Sequence, residues 1–249
     1  MNIKGVVFDL GGTLIEYTGG YSSWPELETP GFLASYEFLL SRSMILPPFE
    51  RFRMVGFDIL PKRWRQATSG QQNLTVASLL TETLESFSIS VPEQGILKAA
   101  SSKYEAAVCA DARPIPNGLF VLSQLKAEGF KIGLLSNTMF SGEIHRADLA
   151  RFKLDGFFDS MLFSADAGKW KPNVSAFHEV LDQLNIEPGA SFFIGDDPAA
   201  DIIGANRAGM ISVHLRSSQR FPSPDGVNPD FTIADLSELP GVVSNIYPA

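Results

Sequence analysis

Residues 6–17 read VVFDLGGTLIEY, an apolar run that ends at a carboxylate and is followed by two glycines. A short apolar segment bounded by turn-forming residues is typical of a strand that is buried on both faces of a parallel sheet. Asp9 then falls just past the end of that strand, and Gly11 and Gly12 leave the following backbone uncovered by side chains. The stretch therefore predicts a loop in which a ligand can come close to a carboxylate.

The second half of the chain alternates short apolar segments with helical patterns. After the first strand at 3–9, further strands are predicted at 131–136, 160–164, 191–195 and 211–215. Helical spacing of apolar residues predicts helices at 117–129, 174–184 and 199–209. Strands and helices in this order predict an α/β fold, with a doubly wound Rossmann-like parallel sheet.

Residues 16–111 differ, because they contain helix-like stretches and no convincing strand pattern. Pro and Gly separate those stretches, which we predict at 31–43, 48–68, 73–87 and 92–108. We therefore predict that the core domain consists of residues 1–15 and 112–249, and that an all-helical cap domain of residues 16–111 is inserted into it.

The composition is that of a folded protein: the chain has 249 residues, of which 45% are hydrophobic and 19% are charged. A net charge of −8 without a basic block argues against a nucleic-acid partner. No apolar run approaches the ~20 residues of a membrane span, and the N-terminus does not resemble a signal peptide. The single cysteine, Cys109, is expected to be a core residue. We expect a soluble cytoplasmic protein without a membrane partner, and the sequence predicts no particular oligomeric state.

Polar residues follow several of the predicted strands, at the edge where doubly wound sheets bind their ligands. They are Asp9, Ser136 with Asn137, Lys171, and Asp196 with Asp197. Carboxylates can share a hard cation such as Mg²⁺, while an ammonium and a hydroxyl can hold phosphate oxygens. A carboxylate can then attack phosphorus to form an aspartyl-phosphate. Together these groups point to phosphoryl transfer.

The motifs that contain these residues resemble, in order and spacing, those of the haloacid dehalogenase superfamily of hydrolases. The resemblance covers nearly the whole chain and is greatest to phosphatase-like members with a helical cap after the first strand. The matching motifs are FDLGGTL (8–14), LLSNT (134–138), AGKWKPNVSAF (167–177) and FIGDDPAADIIGANRAGM (193–210), followed by NPDFTIADLSEL (228–239) as a final strand and helix.

This resemblance implies a role for each matching residue in the hydrolysis of a small phosphorylated metabolite. Asp9 would be the nucleophile, and Ser136 and Lys171 would complete the catalytic set. The phosphate would be bound by Gly11, Gly12, Ser136, Asn137 and Lys171. The cofactor Mg²⁺ would be held by Asp9, the backbone carbonyl of Gly11, and Asp196, with support from Asp197 or Asp201.

One part of the family pattern is missing, because phosphatases of the superfamily usually carry a second Asp where this chain has Gly11. That Asp protonates the leaving oxygen and then activates water, and its loss costs roughly 10²–10⁴-fold in rate. The substrate could have a good leaving group, or a water relay could serve. Another side chain could also replace the acid, for which Glu16, Glu143 and His145 are candidates; we expect His145 on an exposed helix face.

Other reactions in the superfamily remain open. Its dehalogenases have a bulky aromatic residue at position 11 and need no metal, which the acidic pair at 196 and 197 disfavours. Its phosphonate hydrolases have a small residue there and use a cap lysine as a Schiff base, for which Lys62, Lys98 and Lys103 are candidates. A domain that only binds a phosphorylated ligand or a partner is the third alternative.

Substrate specificity is expected to lie in the cap, where aromatic residues occur at helical spacing. They are Tyr21, Trp24, Tyr36, Phe52, Phe57 and Trp64. Residues with this pattern usually pack in a core. Trp170 adjoins the predicted phosphate site and is therefore the better candidate for an aromatic residue that faces the substrate.

Overall fold

The structure is a computed structural model that describes residues 3–17, 26–216, 221 and 223–246. Two of the aromatic residues considered for the cap, Tyr21 and Trp24, lie outside this part of the chain. Cys109 is buried, as expected of a core residue.

A six-stranded parallel sheet forms the centre of the molecule, in the order β5-β4-β1-β6-β7-β8. Apolar residues fill its interior strands, and every residue of β1 is buried. In chain order the strands of the described residues are β1 (Gly5–Phe8), β2 (Ile15–Glu16), β3 (Arg113–Pro114), β4 (Lys131–Ser136), β5 (Ser160–Phe163), β6 (Ser191–Gly195), β7 (Ile211–Leu215) and β8 (Phe231–Ile233). The predicted α/β fold with a parallel sheet is confirmed.

Helices cover both the sheet and the region between β2 and β3. They are α1 (Thr29–Ser41), α2 (Phe49–Thr68), α3 (Val76–Glu85), α4 (Gln94–Cys109), α5 (Gly118–Ala127), α6 (Gly142–Arg151), α7 (Ser164–Ala167), α8 (Val174–Leu184), α9 (Ile203–Ala208) and α10 (Leu239–Ile246). Within the described ranges, no helix combines the length and apolar character needed to cross a bilayer.

Helices α1 to α4 form the helical cap, and an antiparallel ladder of β2 with β3 lies at its base. The ladder pairs Ile15 with Pro114 and Glu16 with Arg113, so the chain leaves and re-enters the core at adjacent points. The domain boundaries themselves, at 15/16 and 111/112, stay a prediction.

A cluster of aromatic rings packs in the cap interior. Phe32 makes edge-to-face contacts with Phe52, Phe57 and Tyr104, with ring centroids 5.2–6.3 Å apart. Tyr36 packs against Phe52 at 5.5 Å. Such contacts add to the free energy gained from burying the rings. Of the described candidates, Tyr36, Phe52 and Phe57 are therefore packing residues.

Hydrogen bonds hold the cap against the edge of the sheet where the parallel strands end. The backbone N–H of Val76 donates to Met139 O at 3.0 Å, and Asn73 Nδ2 donates to Ala165 O at 2.8 Å. Glu105 accepts from the backbone N–H and the hydroxyl of Ser141, at 3.0 and 2.7 Å. The cap thus covers the strand ends that carry the predicted site residues.

Candidate active site

The ends of three neighbouring strands bring the polar residues into one cavity. Asp9 follows β1, Ser136 is the last residue of β4, and Asp196 follows β6, while Lys171 comes from the loop before α8. The cavity has a volume of about 530 Å³. Its polar floor includes these four residues together with Gly11, Asn137, Asp197 and Asp201. Its cap side is mostly apolar, with Leu27, Trp64 and Val108 beside the polar Glu28 and Thr68.

Lys171 is the central cation of this floor and is almost completely buried. Its Nζ lies 2.6 Å from Asp9 Oδ1 and 2.7 Å from Asp201 Oδ1. Burial by itself would lower the Lys171 pKa, but the carboxylates of Asp201 and Asp9 outweigh it and raise that pKa above its usual value. Lys171 is therefore a permanent positive charge next to the predicted nucleophile.

Asn137 fixes the backbone that carries this lysine. Its Oδ1 accepts a hydrogen bond from the Lys171 N–H at 2.8 Å, and its Nδ2 donates to the Lys171 carbonyl at 2.9 Å. The strand end at β4 is thereby joined to the lysine loop. Asn137 lines the cavity, and these two bonds make it a support for Lys171.

Carboxylate oxygens of Asp9, Asp196 and Asp201 lie within 4.8 Å of one another. All three residues are buried, and the ammonium of Lys171 forms ion pairs with Asp9 and Asp201. Burial raises the pKa of Asp201, and the neighbouring carboxylates raise it further, although Lys171 opposes them. Clustered carboxylate oxygens with excess negative charge fit a hard divalent cation such as Mg²⁺.

Asp197 takes a different position from Asp201, although the sequence left the two equivalent. Asp197 Oδ1 accepts from the backbone N–H groups of Ala199 and Ala200, at 2.8 and 3.1 Å, and so caps the turn Pro198–Ile202. The Asp201 carboxylate turns inward, where Oδ2 accepts from the Asp197 N–H at 3.0 Å. Asp201 thus faces the candidate cation site, and Asp197 shapes the loop around it.

The two glycines after Asp9 have separate roles in the loop. Gly12 has a φ of 87°, which favours glycine, and its N–H donates to Ile15 O at 2.8 Å, so it forms the turn and does not line the cavity. Gly11 does line the cavity. A Cβ built on Gly11 would lie 3.8 Å from Cδ2 and 4.0 Å from Cε2 of Tyr17, which is ordinary contact distance.

The expectation that His145 lies on an exposed helix face is wrong. His145 is buried on the inner face of α6, and its ring lies between Phe140 and Phe163, with centroids 5.9 and 5.3 Å away. Its Nδ1 is 2.8 Å from the Tyr17 hydroxyl, and its Nε2 is 2.8 Å from Thr138 Oγ1. Burial lowers its pKa to about 3, so the ring is neutral.

The other two candidates for a replacement acid do not line the cavity that the described residues form. Glu143 is exposed on α6, and Glu16 belongs to the β2–β3 ladder. Tyr17 and His145 both line that cavity. Tyr17 and its partner His145 are therefore better candidates for the missing proton donor than the two carboxylates.

Contrary to the expectation from the sequence, Trp170 does not face the substrate cavity. It is buried, its Nε1 donates to Asn73 Oδ1 at 2.9 Å, and its ring meets Trp64 edge to face at 5.1 Å. Its role is to join the lysine loop to the cap. Trp64 is the aromatic residue of this pair that lines the cavity.

Glu28, on the cap side of the cavity, is a residue that motif analysis missed. Desolvation raises its pKa from 4.5 to about 7, although the nearby Tyr104 hydroxyl opposes the shift. Within the described part of the chain, Glu28 Oε2 and the Tyr104 hydroxyl have no hydrogen bond of normal geometry. Both lie in cap segments where nothing in the sequence distinguishes them from packing residues.

Comparison with known proteins identifies a family. A family described as haloacid dehalogenase-like hydrolase matches residues 62–215, a range that contains Ser136, Asn137, Lys171, Asp196 and Asp201 but not the site residues before position 62. Glyceraldehyde 3-phosphate phosphatase of Methanopyrus kandleri is 32% identical over 158 residues, which are 62% of this chain and 67% of that protein.

Two further matches extend the comparison. Pyrimidine 5'-nucleotidase YjjG of Escherichia coli is 30% identical over 148 residues, which are 59% of this chain and 63% of that protein. A crystal structure of 2-haloacid dehalogenase from Pseudomonas syringae superposes with a TM-score of 0.71 at 23% identity, and the match covers 98% of this chain and 99% of that one. At that identity the structural match establishes the fold alone.

Proposed function

The chain belongs to the haloacid dehalogenase-like hydrolase family, and from that premise we propose that it is a Mg²⁺-dependent phosphatase of a small phosphorylated metabolite. The observation that carries the proposal is the buried set of Asp9, Asp196 and Asp201 beside the ammonium of Lys171. Three buried carboxylates beside one ammonium offer a divalent cation the oxygen ligands that it prefers. That arrangement suits the transfer of a dianionic phosphoryl group.

The donor set supports a hard cation in this position. Asp9, Asp196 and Asp201 would hold Mg²⁺, and the Gly11 carbonyl would complete the set as the family resemblance implies. The ion would neutralise phosphoryl oxygens and leave the Asp9 carboxylate able to approach phosphorus. Asp197 contributes by capping the loop that carries Asp201.

The residues of the chain have different roles in the proposed reaction. Asp9 attacks phosphorus and becomes an aspartyl-phosphate, which water then hydrolyses. Lys171 stands 2.6 Å from Asp9 and neutralises charge on the transferring group. Ser136, buried at the end of β4, offers a hydroxyl to a phosphoryl oxygen, and Asn137 keeps Lys171 in place. These assignments follow the geometry of the floor and the family resemblance together.

A cavity of about 530 Å³ suits a small substrate. The relatives named above are phosphatases of glyceraldehyde 3-phosphate and of pyrimidine nucleotides, and their names support a phosphate ester as the substrate class. The cap side is mostly apolar, with Glu28 as its buried polar group. A cytoplasmic location belongs to the same proposal and rests on the sequence observations given above.

The alternative reactions find less support in the geometry. Lys62, Lys98 and Lys103, the cap lysines considered for a phosphonate hydrolase, are exposed, and none lines the cavity that the described residues form. A dehalogenase that needs no metal would leave the three clustered carboxylates without a function. A domain that only binds its ligand would not need a carboxylate held against the lysine.

The experiment that tests the proposal measures phosphate release with and without Mg²⁺ from alkyl, aryl, acyl and sugar phosphates. We expect Mg²⁺-dependent turnover that Asp9→Asn abolishes. Release of halide from 2-halo acids, or cleavage of phosphonates with no phosphate ester hydrolysed, would replace the proposal by another reaction of the family. Saturable binding of phosphate esters without turnover would show that the protein is a binding domain.

A further inference from the structure

We propose that Tyr17 is the general acid and base that replaces the aspartate missing at position 11, with His145 and Thr138 as its positioning residues. This inference rests on the proposed phosphatase function and names the residue that moves the proton in it. Three features of the structure carry it: the position of Tyr17, the hydrogen bonds behind it and the enclosure of His145.

Tyr17 borders the space that an acidic side chain at position 11 would enter. Its Cδ2 and Cε2 atoms lie 3.8 and 4.0 Å from a Cβ built on Gly11, and no other described residue beyond the chain neighbours of Gly11 comes within 4 Å of that Cβ. Tyr17 and Gly11 line the same cavity as Asp9 and Lys171. The phenol therefore stands beside the place from which the absent aspartate would act.

The hydrogen bonds behind Tyr17 form a continuous series. The Phe140 N–H donates to Thr138 Oγ1 at 3.0 Å, and the same oxygen lies 2.8 Å from His145 Nε2. The proposed role places the hydrogen of the neutral imidazole on Nδ1, from which it is donated to the Tyr17 oxygen at 2.8 Å. Tyr17 then accepts from His145, and the proton that it gives to the leaving group is not the one in this bond.

The aromatic rings around His145 hold its imidazole in one orientation. Phe140 and Phe163 are nearly parallel to the imidazole, at 22° and 20°, and Tyr17 meets it edge to face at 74°. The ring is buried and both of its nitrogens have partners. A neutral donor in this position stabilises a tyrosinate, because a hydrogen bond to the charged form favours that form.

The proposed proton transfers balance over the two half-reactions. A carboxylate oxygen of Asp9 forms a bond to phosphorus while the bond to the leaving oxygen breaks. That oxygen keeps the electron pair, takes the Tyr17 proton and departs as an alcohol, which leaves a tyrosinate. Water then attacks the aspartyl-phosphate and gives a proton to the Tyr17 oxygen, while the bond between phosphorus and Asp9 breaks. Inorganic phosphate leaves, and both residues return to their starting state.

The test compares two substrates that differ in their need for an acid. Glycerol 3-phosphate has an alkoxide leaving group that must be protonated, and 4-nitrophenyl phosphate has one that need not be. In single turnovers, we expect Tyr17→Phe to slow the release of the leaving group from the first by about 100-fold or more and from the second by less than about fivefold. Phosphoenzyme should accumulate in Tyr17→Phe during turnover of the nitrophenyl ester, because the base for water is lost.

Further variants separate this role from a structural one. Tyr36→Phe is the matched control, because it removes a cap hydroxyl that bonds to Pro47 O away from the cavity. His145→Phe should lower kcat for glycerol 3-phosphate as Tyr17→Phe does, while KM changes little. His145→Asn should recover part of that loss, since an amide N–H can stand in for Nδ1–H.

The outcomes distinguish this inference from the phosphatase proposal on which it rests. A wild-type protein that releases phosphate from neither ester with Mg²⁺ overturns both. An active wild type in which Tyr17→Phe slows the single-turnover release of the leaving group equally for the two esters overturns the Tyr17 assignment alone. A loss confined to the alkyl ester in Glu28→Gln, with Tyr17→Phe unaffected, would transfer the acid role to Glu28.

Discussion

The Lys171 ammonium lies 2.7 Å from Asp201 Oδ1, and both side chains are about 99% buried. The same ammonium is 2.6 Å from Asp9 Oδ1, so one lysine holds the predicted nucleophile and the predicted metal ligand together. Buried charges are costly without partners, which makes each member of this group dependent on the others.

Lys171→Met should destabilise the folded protein by about 3–5 kcal/mol, because it leaves Asp9 and Asp201 buried without their cation. Urea unfolding in the absence of Mg²⁺ measures the loss. Mg²⁺ should stabilise the variant more than the wild type. Lys169→Met is the matched control: its ion pair with Glu179 is exposed and should contribute little to stability. Equal midpoints for the two variants would contradict the prediction.

Asp201→Asn should weaken Mg²⁺ binding, whereas Asp197→Asn should leave it nearly unchanged. The Asp201 carboxylate belongs to the proposed cation site, while Asp197 caps a turn, a role that asparagine fulfils equally well. Asp197→Ala should instead cost about 1 kcal/mol of stability through the lost cap. Calorimetric titration with Mg²⁺ measures the affinities. A larger loss of affinity in Asp197→Asn would reverse the two roles.

Gly11→Asp should raise the turnover of alkyl phosphates by about 10-fold or more in the Tyr17→Phe background, because it restores a carboxyl acid. The backbone accepts a side chain there, since the added Cβ meets Tyr17 only at ordinary contact distance. Gly11→Asn in the same background is the control of equal size without an acid. Initial rates with glycerol 3-phosphate would show no gain in either double variant if position 11 does not face the leaving group.

Glu28→Gln should change the pH dependence of stability. Burial raises the Glu28 pKa to about 7, so the folded state keeps a proton that the unfolded chain releases above pH 4.5. The wild type therefore loses about 3 kcal/mol from this group as the pH rises from 4.5 to 7, and the variant does not.

Urea unfolding of the wild type and of Glu28→Gln between pH 4.5 and 7 checks the direction of this change in stability. The free energy of unfolding of Glu28→Gln relative to the wild type should rise with pH. Glu37→Gln, which removes an exposed carboxyl of α1, is the matched control. A difference that is flat with pH would mean that Glu28 is ionised in the folded protein.

The sequence alone was sufficient for the architecture and for much of the candidate floor of the site. Buried parallel strands are short, apolar and bounded by turns, so β1, β4 and β6 could be recognised locally. Their carboxyl ends share one edge of a parallel sheet, which predicts that Asp9, Ser136 and Asp196 lie close together. Lys171 followed from its motif. None of these inferences needed a contact between particular side chains.

Tertiary structure decided the features that depend on how distant segments pack. Tyr17 and His145 are 128 residues apart, and only the packing of α6 against the first loop brings them together. The polar pattern around His145 predicts exposure, but Phe140 and Phe163 cover its face of the helix. Trp170 does not face the cavity, because its indole N–H donates a hydrogen bond to Asn73 of the cap, 97 residues earlier in the sequence. Motif spacing identifies which residues can react, but burial and pairing between distant segments determine how each is charged and oriented.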